Sequence, residues 1–103
     1  MKYLMTWTYR VGGSAAENEK SLRRGLEVFS KWTPAQSTTY HQFLGRLDGM
    51  GGCAVIETDN PADIADATGK FAFIAEYQVI PVVDIEEQVR ALHAGVDFRE
   101  SIP

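Results

Sequence analysis

Apolar and polar residues alternate strictly near the start of the chain. Tyr3, Met5, Trp7 and Tyr9 fall on one side of an extended backbone, and Leu4, Thr6 and Thr8 on the other. A period of two in β-forming residues predicts a strand. After Gly12-Gly13 the period becomes helical: Leu22, Leu26, Phe29 and Trp32 form the buried stripe, with Arg23, Arg24, Glu27 and Lys31 opposite. Ser14 and Glu17 have capping-box spacing at the start of this helix, and Thr33-Pro34 stops it. Two strands are predicted over Thr38–Asp48 and Gly52–Thr58, with the glycines around Met50 supplying the positive-φ positions of a hairpin. Asn60-Pro61 starts a second helix, whose buried stripe is Ile64, Ala67 and Phe71. Glu76–Asp84 reads as a fourth strand, and Pro81, which lacks an N–H, assigns it to a sheet edge. A terminal helix from Ile85 to about Ala94 would leave the last nine residues as a tail.

The order strand, helix, strand, strand, helix, strand, joined by right-handed crossovers, leaves few assemblies. It predicts an α+β ferredoxin-like βαββαβ sandwich, with both helices on one face of an antiparallel sheet and a C-terminal helix added. The domain covers residues 1–94 and the tail 95–103. Both faces of the sheet are apolar: Val79 and Val83 oppose Ile80 and Val82, and Val55 opposes Ala54 with Ile56. Two helices cover only one of them. The other face predicts a homodimer packed sheet to sheet.

Composition narrows the function classes. At 103 residues and 11.4 kDa the chain holds one core. With 45% hydrophobic and 23% charged residues it has the balance of a globular domain. A net charge of −4 argues against nucleic acid and against an anionic membrane surface as partners. No apolar run approaches the roughly 20 residues that cross a bilayer. The first ten residues are too polar and too alternating for a secretory signal. The single cysteine, Cys53, reads as a small buried hydrophobe and fits a reducing cytoplasm. With only His41 and His93 beside it, no metal cluster of recognisable spacing can be drawn, so no metal or cofactor is expected. His93, at the end of the terminal helix, reads as a cation favoured by the helix dipole.

Met1 to Arg10, Gly45-Arg46-Leu47-Asp48-Gly49, Glu57-Thr58-Asp59-Asn60-Pro61, Tyr77-Gln78-Val79 and Pro81-Val82-Val83-Asp84 resemble a family of short proteins described as domain of unknown function 3303. The likeness runs to about Leu92. It implies the dimeric α/β-barrel superfamily, in which two ferredoxin-like protomers join their sheets. Relatives there include cofactor-independent monooxygenases, lactone isomerases, polyketide cyclases, haem-degrading enzymes and proteins of no known activity. The resemblance brings no catalytic motif to carry over.

Candidate chemistry rests on polar residues inside strands, and hairpin register decides which of them meet. A three-residue loop at Gly49–Gly51 sets Phe43 opposite Glu57 with His41 diagonal, a His–carboxylate pair suited to general acid–base work. A four-residue loop makes Arg46 the diagonal neighbour instead, an Arg–carboxylate pair that fixes structure or holds an anion. A third reading leaves Glu57 at a strand end in water. Trp7, Tyr9 and Tyr77 are candidates to line a cavity for a planar organic ligand, with core filling as their other use. Trp32 reads as core packing. Two functions follow. In one, a cofactor-independent enzyme of monooxygenase, isomerase or cyclase type acts on a small aromatic or conjugated molecule. His41 is its acid or base, Glu57 orients His41, Arg46 stabilises negative charge, and Trp7, Tyr9 and Tyr77 shape the site. In the other, a non-catalytic dimer binds a small ligand or stabilises a partner protein. A cavity without a titratable pair would favour the second.

Overall fold

The computed structural model describes residues 1–103. The elements run β1 (Lys2–Tyr9), α1 (Ala15–Lys31), β2 (Thr39–Gly45), β3 (Gly51–Glu57), α2 (Pro61–Phe71), β4 (Ala75–Val82) and α3 (Ile85–Glu100). The four strands form one sheet in the order β2-β3-β1-β4, every neighbouring pair antiparallel. This is the ferredoxin-like arrangement, and β4 with Pro81 lies at an edge. No helix is long and apolar enough to cross a membrane.

Local chemistry sets the helix starts. The Ser14 hydroxyl accepts the Glu17 N–H at 3.1 Å, and Asn60 accepts the Ala62 N–H at 3.2 Å with Pro61 at the first helical position. The Thr58 hydroxyl, buried at the end of β3, donates to the Asp63 carboxylate in the first turn of α2 at 2.9 Å. Ser37, just before β2, donates to the same carboxylate. One side chain thus ties three segments together, and the buried hydroxyl is satisfied.

Sheet parity defines two faces. Met5, Ala54 and Ile56 share one and pack with Ile64 of α2 as the core. Leu4, Thr6, Cys53, Val55, Ile80 and Val82 belong to the opposite, outer face, which no helix covers. Cys53 is half-buried there.

Three features differ from the sequence expectations. The α1 stripe is not buried: Leu26 is 60% exposed, Leu22 and Phe29 are also exposed, and only Gly25 is buried. The helix touches the sheet side closely at Gly25, where an added Cβ would lie 2.7 Å from Ile74 Cδ1. Elsewhere large rings hold it off. Secondly, β2 ends at Gly45, not Asp48, because the turn begins at Arg46, whose N–H meets Gly51 O at 2.9 Å. Of the hairpin glycines only Gly49 has positive φ, 74°. Thirdly, α3 continues through Gly95 to Glu100. One interior glycine costs a helix only about 1 kcal/mol. No residue of α3 is buried, and the molecule measures 65 × 31 × 21 Å. Its radius of gyration is 18.4 Å, against about 13 Å for a compact chain of this length.

Candidate functional site

Because α1 stands away from the sheet, a cavity of about 410 Å³ lies between them. Its floor is the helix-side face of β1 and β4, with Met5, Trp7, Tyr9 and Tyr77. Its roof is the exposed α1 stripe, and Phe71 and Ile74 close one side.

Aromatic rings define its shape. Trp7 meets Phe43 edge to face at 5.7 Å and lies 6.1 Å from Tyr77. Trp32 meets Phe71 at 5.5 Å and 87°. Such edge contacts suit the ring quadrupoles and hold the rings at fixed angles. The indole of Trp7 lies over Gly52, its Cα partner on β3, where an added Cβ would stand 2.5 Å from Trp7 Cζ2. Glycine is needed there for the ring and for the Leu44 carbonyl oxygen, which lies nearer still, not for the turn.

The lining holds no acidic, basic or imidazole side chain. Its polar side-chain groups are the hydroxyls of Tyr9, Tyr40 and Tyr77 and the indole N–H groups of Trp7 and Trp32. No side-chain polar atom of the protein is both buried and unpaired, so these donors open onto accessible space. Burial, followed by the neighbouring Tyr9 and Tyr40, pushes the Tyr77 phenol up to about 12. Burial also raises Tyr40. These phenols keep their protons at neutral pH and act as donors, not bases.

His41 and Glu57 do meet: Nε2 lies 2.7 Å from Oε1. The route is neither of the two predicted registers. Gly45 pairs with Gly52 and Phe43 with Ala54, then a bulge between Tyr40 and Gln42 shifts the register so that Thr39 pairs with Glu57. His41 becomes the diagonal neighbour of Glu57. Glu57 pairs with Lys2 on its other side, so by parity the His41–Glu57 pair occupies the outer face. The side chains are 41% and 46% exposed. The His41 hydrogen bond, partly opposed by desolvation, lowers the Glu57 pKa below its ordinary value.

Arg46 does not reach Glu57. It pairs with Asp48 inside the turn, at the far end of the hairpin. Asp48 also accepts the Met50 N–H at 3.0 Å, and that bond is the main reason its carboxyl titrates low. The six candidates therefore fall into three places. Trp7, Tyr9 and Tyr77 share the cavity, His41 and Glu57 share the outer face, and Arg46 belongs to the turn.

Sequence reasoning missed the wall formed by Phe29, Phe43 and Phe71. All three are phenylalanines with no polar handle, and helical periodicity assigns Phe29 and Phe71 to core stripes. Gly25, the one buried residue of α1, marks where the helix meets Ile74 and gives no signal of that wall.

Compared with models of protein families, residues 1–96 match the Domain of unknown function (DUF3303), and the chain belongs to that family. No curated protein matches it.

Proposed function

We propose that this DUF3303 protein is a homodimer that binds a small, planar, largely apolar organic molecule between its sheet and α1. The observation that carries this reading is the cavity lining: phenols and indoles are its only hydrogen-bonding side chains, set among rings and aliphatic groups. Such walls accept a conjugated ring by edge and offset contacts and orient one acceptor substituent with a few donors. The absence of a charged partner in the lining selects for a neutral ligand, because a charge buried there would go uncompensated.

The geometry supports binding over acid–base catalysis. A cofactor-independent monooxygenase, isomerase or cyclase of the kind considered above would need His41 beside the substrate. By sheet parity His41 and Glu57 stand on the face opposite the cavity, and the Tyr40 and Tyr77 phenols in its lining, raised by burial, hold their protons too firmly to act as bases near neutral pH. The free, half-buried Cys53 suits a reducing cytoplasm.

Titration with N-phenyl-1-naphthylamine, a neutral two-ring aromatic, tests the reading. Saturable binding at one probe per protomer is expected, with tryptophan quenching. Trp7→Ala should weaken it by about tenfold or more, as for a buried aromatic anchor, and His41→Ala should leave it unchanged. Lack of saturable binding would overturn the proposal, and so would dependence on His41.

A further inference from the structure

A second cleft, of about 290 Å³, lies between α1 and α2. Arg24, Glu27, Val28 and Lys31 recur on one face of α1 at helical spacing and form one wall, and Lys70 of α2 stands on the other. Trp32 borders both this cleft and the aromatic cavity. Lys70 directly precedes Phe71, which closes the cavity's side, and the Trp32–Phe71 edge contact at 5.5 Å joins the two helix ends. The cleft and the cavity therefore adjoin at one indole.

In a chain of net charge −4 the cleft reverses the sign, with three cations against the single carboxylate of Glu27. Lys31 and Lys70 sit in the last turns of their helices, where the terminal carbonyls favour a cation. Arg24 lies about two turns earlier and has no such role. None of the three is locked in place. Lys31 pairs with no carboxylate. Arg24 meets Glu27 at 3.2 Å and Lys70 meets Asp66 at 2.9 Å, both exposed pairs within a single helix. Such pairs contribute little, so an anion that reaches all three cations can replace them. A cleft lined mainly by one sign also concentrates ions of the other.

We propose that the cleft holds a carboxylate of the cavity's own ligand, which makes that ligand an aryl acid. Its neutral ring sits among the cavity rings, and a short flexible tail passes Trp32 to reach Arg24, Lys31 and Lys70. The planar guanidinium of Arg24 suits a carboxylate, and the two ammonium groups add point charges. This rests on the cavity reading above, and it keeps the seated ring neutral by placing the charge outside the lining.

Competition against bound N-phenyl-1-naphthylamine tests the assignment with two compounds that share a ring and a tail, 1-naphthalenebutyrate and 1-naphthalenebutanol. The acid should displace the probe at about a tenfold lower concentration than the alcohol, the combined effect of three exposed pairs. That advantage should shrink as salt is raised, while the alcohol should not respond to salt. The triple variant Arg24→Gln, Lys31→Gln, Lys70→Gln should abolish the advantage and leave the alcohol unchanged. Arg23→Gln, Arg90→Gln, Arg99→Gln removes the same charge elsewhere and should preserve it. Unchanged affinity for the probe would show that the triple variant is folded, and the salt dependence of the unaltered protein needs no variant. Equal displacement by acid and alcohol overturns the cleft and keeps the cavity, and so does an advantage that both triple variants lower alike. Lack of saturable probe binding overturns both.

Discussion

Tyr40 and Phe43 face the same side of the sheet with ring centroids 5.2 Å apart, although they are three residues apart in one strand. Strict alternation would put them on opposite faces. The bulge between Tyr40 and Gln42 absorbs the odd residue, so both rings reach the cavity. The same irregularity releases His41 to the outer face, where it meets Glu57.

That pair has a pH signature. His41 holds the Glu57 carboxyl below its ordinary value, so the folded state binds this proton less readily than the unfolded state. Its stabilisation is full above the ordinary carboxylate value of about 4.3 and is lost as pH falls through the lowered one. Carboxyl-detected NMR should place the Glu57 midpoint below about 4.3, and His41→Ala should move it upward. An unmoved midpoint would refute the pairing.

Tyr77 acts at the other end of the pH scale. Its folded-state value of about 12 lies above the ordinary phenol value of about 10. The unfolded chain loses this proton first, so stability should fall as pH rises between the two values. Absorbance titration should show a late-ionising phenol that disappears in Tyr77→Phe. The same variant should weaken a hydrogen-bond-accepting ligand by about 0.5–1.5 kcal/mol, the net worth of one such bond.

Two glycines should respond differently to alanine. In Gly52→Ala the new methyl meets the Trp7 ring and the Leu44 carbonyl oxygen, and backbone cannot give way cheaply. Overpacking of this kind costs about 1–3 kcal/mol. In Gly25→Ala the methyl meets the end of the Ile74 side chain, which can turn, while the helix gains up to about 1 kcal/mol in propensity. Denaturant unfolding should show a large loss for the first and a small change of either sign for the second.

Ile56 is fully buried at the centre of the core with Met5, Ala54 and Ile64. Ile56→Ala should cost about 2–5 kcal/mol by lost burial and the cavity left behind. Leu26→Ala removes a side chain of similar size that is 60% exposed, and should cost much less. Equal losses would mean that α1 closes onto the sheet in solution.

The elements and their order were legible in the chain because their causes are local. Ser14 with Glu17, and Asn60 with Pro61, mark helix starts through bonds made within a few residues. The period of two in β1 survives in a strand whose Met5 face is buried, and Pro81 marks an edge because it lacks a donor. From these the ferredoxin-like arrangement follows by connection rules. Which side chains share a site was not local. One bulge in β2 decided that Tyr40 and Phe43 line the cavity and that His41 meets Glu57 outside it. A turn beginning at Arg46 kept that guanidinium from Glu57. The periodicity of α1 correctly named the stripe that faces the sheet, but periodicity measures direction and not distance. Only the assembled rings of Trp7, Phe29, Trp32 and Phe43 set that distance, and the gap they hold open is the cavity.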